Sequence, residues 1–484
     1  MTTGPADFRV GLEPLDAEVE DVELEVQGTV PDWLSGTLVR NGPGRWTAQP
    51  GGQGEQVGHW FDGFAMLHRF ALSQGHVHYA SRYVHSPAWR AAVEQGRLGF
   101  AEVGTNPRRR WTERVTGFAR PPRTGTNASV NVLRLGGRYM AVTETPDAIP
   151  FDPVTLETLA PVRYADDLPG ETFSAHPHHD RARGALVNLA AEYGRRSRYH
   201  VHELPDGSLT RRLVASVDTD RPSYMHSFAM TPRFVVLVEY PLVADPLALL
   251  MGRTILDSYQ WRPLRGTRFT VVERATGAVV SRTRTEAFFC FHQVNAFEDG
   301  DDLVVDLPVM PGEQGLKQFL LAELMSTSAR TPAGELRRYR VPTGGGPITY
   351  RLLSTAPVEF PRIAYEQVSG QPYRYVFGVG TLESRTTSFG DRLVKIDVET
   401  GAVRTWSEPG CFPGEPIPVA PPGPPAPRED DGVLLSLVLD GVARRSFLLV
   451  LDAGTLTELA RVPLPHPVPH GFHGQWFDDP LVEA

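Results

Sequence analysis

Short runs rich in Val, Leu, Tyr, Phe and Thr, broken by polar or Pro/Gly turns, make up most of the 484-residue chain. Such alternation predicts strands, and helical periodicity is confined to Pro311 to Thr327. One turn recurs, an apolar strand followed by a polar tetrapeptide and a strand with Thr or Val, as in FDPVTLETLA, VERATGAVVS, IDVETGAVRTW and LDAGTLTELAR. Anchored at Leu72, Asp152, Leu204, Glu273, Pro342, Asp397 and Asp452, these turns lie 80, 52, 69, 69, 55 and 55 residues apart, a mean of about 63. That interval suits a four-stranded blade with one long loop. The expected fold is therefore all-β, a seven-bladed β-propeller formed as a single domain over residues 1–484.

A second regularity is independent of the turns. Counting forward from an anchor, His176, His226, His292 and His473 fall 24, 22, 19 and 21 residues on, and Glu359 and Glu415 fall 17 and 18 residues on. In a propeller, equal phase means equal radius, so four imidazoles and two carboxylates should meet near the axis. Glu144, 8 residues before the Asp152 anchor, is the acidic candidate of the long first interval. Converging neutral imidazoles suit Fe, Zn, Cu or Ni. Carboxylates behind them would accept the second ring N–H and fix the tautomer. Four neutral ligands leave octahedral positions open, which favours a catalytic ion over a closed structural zinc.

Composition narrows the function classes. With 48 basic and 57 acidic side chains the net charge is −9, which argues against a nucleic-acid binder. Only Cys290 and Cys411 are cysteine, so a reduced compartment is expected, and no stretch reaches the apolar length of a membrane span. The expected location is the cytoplasm. LVRNGPG lacks the Lys-Ser/Thr of a phosphate loop, so neither a nicotinamide nor a flavin is expected. Leu247, Leu249, Leu250 and Met251 form a short apolar cluster, a candidate patch for peripheral contact with a membrane holding a lipid-soluble substrate.

The motifs around these residues resemble those of the carotenoid cleavage oxygenase family over nearly the whole chain. LVRNGPG and HWFDGFAMLHRF are similar to its amino-terminal signatures. SAHPHHD, YMHSFAMT, FCFHQVNAFE and HGFHGQW are similar to its iron-histidine motifs, and VTETPD, VEFPRI and FPGEPI to its glutamate motifs. The resemblance implies a propeller under a dome of loops and helices, with one Fe(II) per chain on His176, His226, His292 and His473 and a supporting shell of Glu144, Glu359 and Glu415. It also places Thr143 where many members set a small side chain against one open iron position. Phe61 and Phe472, beside motif residues, are candidates for an apolar tunnel. The implied activity is O2-dependent cleavage of one carbon–carbon double bond of a carotenoid or apocarotenoid to two carbonyl products such as retinal.

Stilbene cleavage is the alternative, with a retinoid isomerohydrolase and a non-enzymatic retinoid-binding propeller behind it. Stilbene-cleaving members hold a phenol with Tyr and Lys in the amino-terminal third, whereas the first lysine here is Lys317 and the only other is Lys395. Outside the ligand set, His59, His68 and Asp62 are expected to be structural, His470 to shape its loop, and His76, His78, His200 and His202 to be exposed. His178 is a weaker candidate for a direct role, since it crowds His176 at i+2. The chain leaves the specific substrate, the scissile bond and the oligomeric state open.

Overall fold

The computed structural model describes residues 7–107, 126–194, 196–245, 247–248, 251, 253–310, 312, 315–326, 333–382, 389–423 and 428–479. Its sheets are antiparallel, and the turn anchors mark the same place in each. Leu72 and Leu204 lie one residue from the ends of Phe64–Ser73 and Ser197–Pro205. Glu273, Pro342, Asp397 and Asp452 are the last residues of their strands. At these six anchors the next strand folds back on the one before it. After Asp152 the return is a single bridge from Phe151 to Thr158. Local chemistry makes the turn: the Asp152, Asp397 and Asp452 carboxylates accept backbone N–H groups two or three residues ahead.

Each sheet packs face to face on the next. Val39 and Leu67 of the first sheet meet Ala141 and Ile149 of the second, whose Met140 and Val142 meet Leu204 of the third. Val187 and Val201 then meet Val235 and Leu237, and Val236 and Phe269 meet Val305 and Tyr339. Farther along, Val304 and Leu336 pack on Val376 and Ile396, and Phe377 and Leu393 on Val438 and Leu449. Leu435 and Val450 pack on Leu38 and Phe70, which returns the ring to its start. The strand Thr349–Arg362 serves two neighbours, its first half pairing with Gly334–Pro342 and its second with Tyr375–Gly380 across register breaks. Strands at the chain's two ends lock the ring: Gly474–Phe477 pairs with Gly36–Arg45, and Gln27–Gly28 with Glu458–Pro463.

Two sequence expectations need correction here. Among the described residues of the stretch from Pro311 to Thr327 the periodicity yields only a 3-10 turn, Leu316–Phe319, and a single helical turn, Leu321–Leu324, with Leu316, Phe319, Leu321 and Leu324 drawn into the core. A nine-residue helix forms instead at Pro87–Gln95, where Ser86 caps the start and Gly96, at φ 63°, ends it. His200 and His202 are buried rather than exposed, because Ser197–Pro205 is an interior strand with a partner on each side. His200 accordingly finds Ser216 Oγ and Glu192 Oε2, both at 2.9 Å.

No helix among the described residues is long and apolar enough to cross a membrane. Leu247 and Met251 of the candidate patch are 68% and 72% exposed. Leu249 and Leu250 lie outside the described residues.

Candidate metal centre

Four sheets each deliver one histidine to a common point. His176, His226 and His292 lie two or three residues before His178–Asp180, Ala229–Met230 and Asn295–Asp299, and His473 directly precedes Gly474–Phe477. These strands are the inward edges of their sheets, so equal phase in the sequence becomes convergence in space. One ligand atom from each of the four lies within 4.8 Å of the others. His176 Nε2 is 2.9 Å from His226 Nε2, and His292 Nε2 is 3.2 Å from His473 Nε2.

Three of the four rings are oriented from behind. His226 Nδ1 donates to Glu144 at 2.7 Å, His292 Nδ1 to Glu359 at 2.6 Å and His473 Nδ1 to Glu415 at 2.8 Å. A carboxylate on Nδ1 places the proton there and leaves the Nε2 lone pair free to bind metal. Among the described residues no carboxylate backs His176. Its segment is held through Ser174, which accepts the His176 backbone N–H and donates to the His226 carbonyl. Burial and the neighbouring imidazoles push His176 and His292 well below the usual histidine range. Burial takes His473 down to about 3. Neutral rings with facing lone pairs repel unless a cation sits between them, and the donor set therefore fits a transition-metal ion.

The carboxylates differ in what holds them. Glu415 accepts from Arg40 Nη1 at 2.6 Å, Arg362 Nε at 2.8 Å and the Gly474 N–H at 3.0 Å. Burial alone would raise its pKa, yet Arg362, His473 and Arg40 hold it well below the carboxylate range. Glu144 accepts from the Tyr224 hydroxyl at 3.1 Å. Among the described residues Glu359 has only the N–H of Phe360 besides His292, both on Oε2, and its Oε1 is buried without a partner. Burial pushes Glu359 up to about 7. Phe360 itself sits at φ 49°, in the left-handed region that non-glycine residues rarely adopt. Arg40, Arg362 and Tyr224 lie inside the motifs LVRNGPG, VEFPRI and YMHSFAMT, which signalled the segments but not these roles.

A cavity opens beside the histidines. Its wall includes His226, His292, His473, Thr143, Phe61 and Phe472, and is largely apolar, with Trp60, Phe291, Phe319, Phe360, Phe389 and Phe412 among its aromatic side chains. Phe61 meets Phe472 edge to face with centroids 5.3 Å apart, and stacks on Phe319 at 5.2 Å. Ile255, four residues beyond Met251, is also part of the wall.

The remaining histidines are committed elsewhere. His178 is held between the Phe228 carbonyl at 2.8 Å and the Tyr365 hydroxyl at 3.0 Å, away from the cluster. His59 bonds the Leu316 carbonyl, His68 the Tyr79 hydroxyl and His470 the Phe8 carbonyl. Asp62 is buried and accepts from Gly104 N and Thr105 Oγ1.

Comparison with known proteins shows the family and the fold. The family model described as retinal pigment epithelial membrane protein matches residues 12–478. A mitochondrial carotenoid-cleaving dioxygenase of Mustela putorius furo is 32% identical over 96% of each chain. A carotenoid isomerooxygenase of Galleria mellonella is 33% identical over 97% of this chain and 96% of its own. The solved structure of cobalt-substituted Synechocystis apocarotenoid oxygenase superposes with a TM-score of 0.85 at 27% identity, covering 98% of this chain and 99% of that one. Matched along nearly its whole length by the family model and by both relatives, the chain belongs to the carotenoid oxygenase family.

Proposed function

We propose that this chain is a non-haem iron dioxygenase that cleaves one carbon–carbon double bond of a carotenoid or apocarotenoid with O2, giving two carbonyl products such as retinal. The observation that carries the reading is the set of four convergent Nε2 atoms beside a largely apolar cavity. His176, His226, His292 and His473 would hold one Fe(II) per chain, with Glu144, Glu359 and Glu415 supporting three of the rings. Iron bound there would supply the activation of O2, which no side chain provides. The chain's own residues do the rest: the glutamates keep Nδ1 protonated, the aromatic wall excludes water and lays the polyene beside the centre, and Thr143 narrows the space next to Glu144.

We further infer seven blades in one functional unit, because the hydrophobic interfaces run from sheet to sheet and close on themselves, with the loops over the histidines as a dome. Exposed Leu247 and Met251 near the cavity wall support peripheral contact with a membrane that supplies the substrate. A polyene suits the wall better than a phenol. Lys317 is exposed on the 3-10 turn Leu316–Phe319, Lys395 is buried against Asp430, and neither lines the cavity.

The test is incubation of the iron-loaded protein with β-carotene, a long-chain apocarotenal and resveratrol under labelled O2, with mass spectrometry of the products. Label in both carbonyl products of a carotenoid is expected, with resveratrol cleaved at least about tenfold more slowly. Faster cleavage of resveratrol would make the chain a stilbene oxygenase. Full activity after His→Ala at residue 176, 226, 292 or 473 would overturn the metal assignment.

A further inference from the structure

Polar groups in the cavity wall are mostly spoken for. Tyr193 and Tyr259 share a hydrogen bond of 2.9 Å, Tyr224 donates to Glu144, and Thr172 reaches the Tyr193 hydroxyl at 3.3 Å. Glu102 is different. It lines the cavity and is half-buried, yet among the described residues its carboxyl group makes no hydrogen bond and no ion pair. Nor is it loosely placed. The Glu102 backbone N–H donates to the Thr105 carbonyl at 2.8 Å, and Leu256 N donates to the Val103 carbonyl at 2.7 Å. From behind, Asp62 accepts from Gly104 N at 3.0 Å and from Thr105 Oγ1 at 2.6 Å. These bonds fix the backbone from which the Glu102 side chain joins a largely apolar wall.

Its protonation follows from the surroundings. Burial first, and then the nearby Asp62 carboxylate, push Glu102 well above the ordinary carboxylate range. A neutral acid offers both an O–H donor and a carbonyl acceptor. A hydrocarbon filling the cavity would leave both dry and unpaired, whereas an oxygen-bearing end group would pair them.

We propose that Glu102 is a specificity-determining residue that hydrogen-bonds the oxygen on one end of the polyene, so that hydroxylated or aldehyde-ended carotenoids are preferred to pure hydrocarbons. The proposal rests on the carotenoid reading of the cavity and names the substrate class within it. The reaction itself needs no proton from Glu102, which acts in binding.

Zeaxanthin and β-carotene share one carbon skeleton and differ by two ring hydroxyls, which makes them a matched pair of probes. Binding of each is read by quenching of intrinsic tryptophan fluorescence, since Trp60 lies in the cavity wall, and turnover is read in parallel. The wild-type chain should bind zeaxanthin about tenfold or more tightly than β-carotene. Glu102→Gln, which keeps a donor and an acceptor, should retain most of that difference. Glu102→Leu should abolish it, weakening zeaxanthin binding and strengthening β-carotene binding, because the hydrocarbon then no longer desolvates an unpaired acid. Equal wild-type affinities, a comparison that needs no variant, would overturn the proposal, as would a preference that survives in Glu102→Leu. Cleavage of neither carotenoid by a protein that binds zeaxanthin through Glu102 would instead overturn the activity and leave this assignment standing.

Discussion

Behind His473, Glu415 joins two arginines, whereas Glu359 behind His292 has a single backbone N–H, and this contrast separates two otherwise similar substitutions. Glu415→Gln strips the charge partner from Arg40 and Arg362, of which Arg40 is buried. Breaking a buried pair on one side costs about 3–5 kcal/mol, so this variant should unfold at markedly lower denaturant concentration than the parent. Glu359 carries a pKa raised to about 7 and, among the described residues, no arginine partner, so Glu359→Gln replaces a weakly held charge by a near-isostere. Its stability should stay within about 1 kcal/mol of the parent, while metal affinity falls roughly 10–100-fold. Denaturant unfolding set beside iron titration checks both. Equal destabilisation of the two variants would show that the arginine clamp on Glu415 contributes nothing to the fold.

The strand Gly36–Arg45 and the loop leading into Gly474–Phe477 explain why two glycine-rich motifs far apart in the chain belong together. A Cβ on Gly42 would lie 2.4 Å from the Gly471 Cα, so the two backbones cross at a distance only glycine permits. Beside the crossing, Asn41 N donates to the His473 carbonyl and Phe472 N to the Asn41 carbonyl, each at 2.9 Å. Gly42→Ala should therefore displace Phe472 and His473, lowering stability by about 1–3 kcal/mol and reducing iron content. Gly344→Ala, whose added methyl meets nothing within 4 Å, is the matched control and should change neither. Elements of this kind divide what the chain discloses from what it conceals. The Asp-x-x-Thr turns are local chemistry and legible in the sequence, and so is the histidine phase, because each of the four histidines precedes an edge strand of its sheet. The Arg40 to Glu415 pair spans 375 residues and leaves no local trace. His200 and His202 were misplaced because a hairpin pattern does not say whether a strand lies at an edge or in the interior of its sheet. The helix Pro87–Gln95 was marked only by its caps, Ser86 and Gly96, too short a signal beside the longer periodicity at Pro311 to Thr327.

Across the whole ring, buried neutral histidines and buried acids give the fold opposing responses to pH. His202 is buried edge-on against Phe173, and burial lowers its pKa to about 4. His59 and His470 are likewise lowered to about 4 by burial, and His68 to about 3. A histidine depressed below its ordinary value of 6.5 contributes stability that is present above pH 6.5 and lost as pH falls towards the folded value. Asp62 runs the other way. Burial raises it from 3.8 to about 7, so its contribution is complete below pH 3.8 and lost as pH rises through 7. Each group alters the slope of stability against pH by at most one proton, about 1.4 kcal/mol per pH unit. His202→Phe should therefore flatten the decline of unfolding free energy between pH 6.5 and 4, while Asp62→Asn should steepen it over the same range. Denaturant midpoints measured at half-unit steps of pH on both variants and the parent decide the matter. Slopes that change in the same direction would show that burial does not set the two pKa values, since one cause can move an imidazole and a carboxyl group only to opposite sides of their ordinary values.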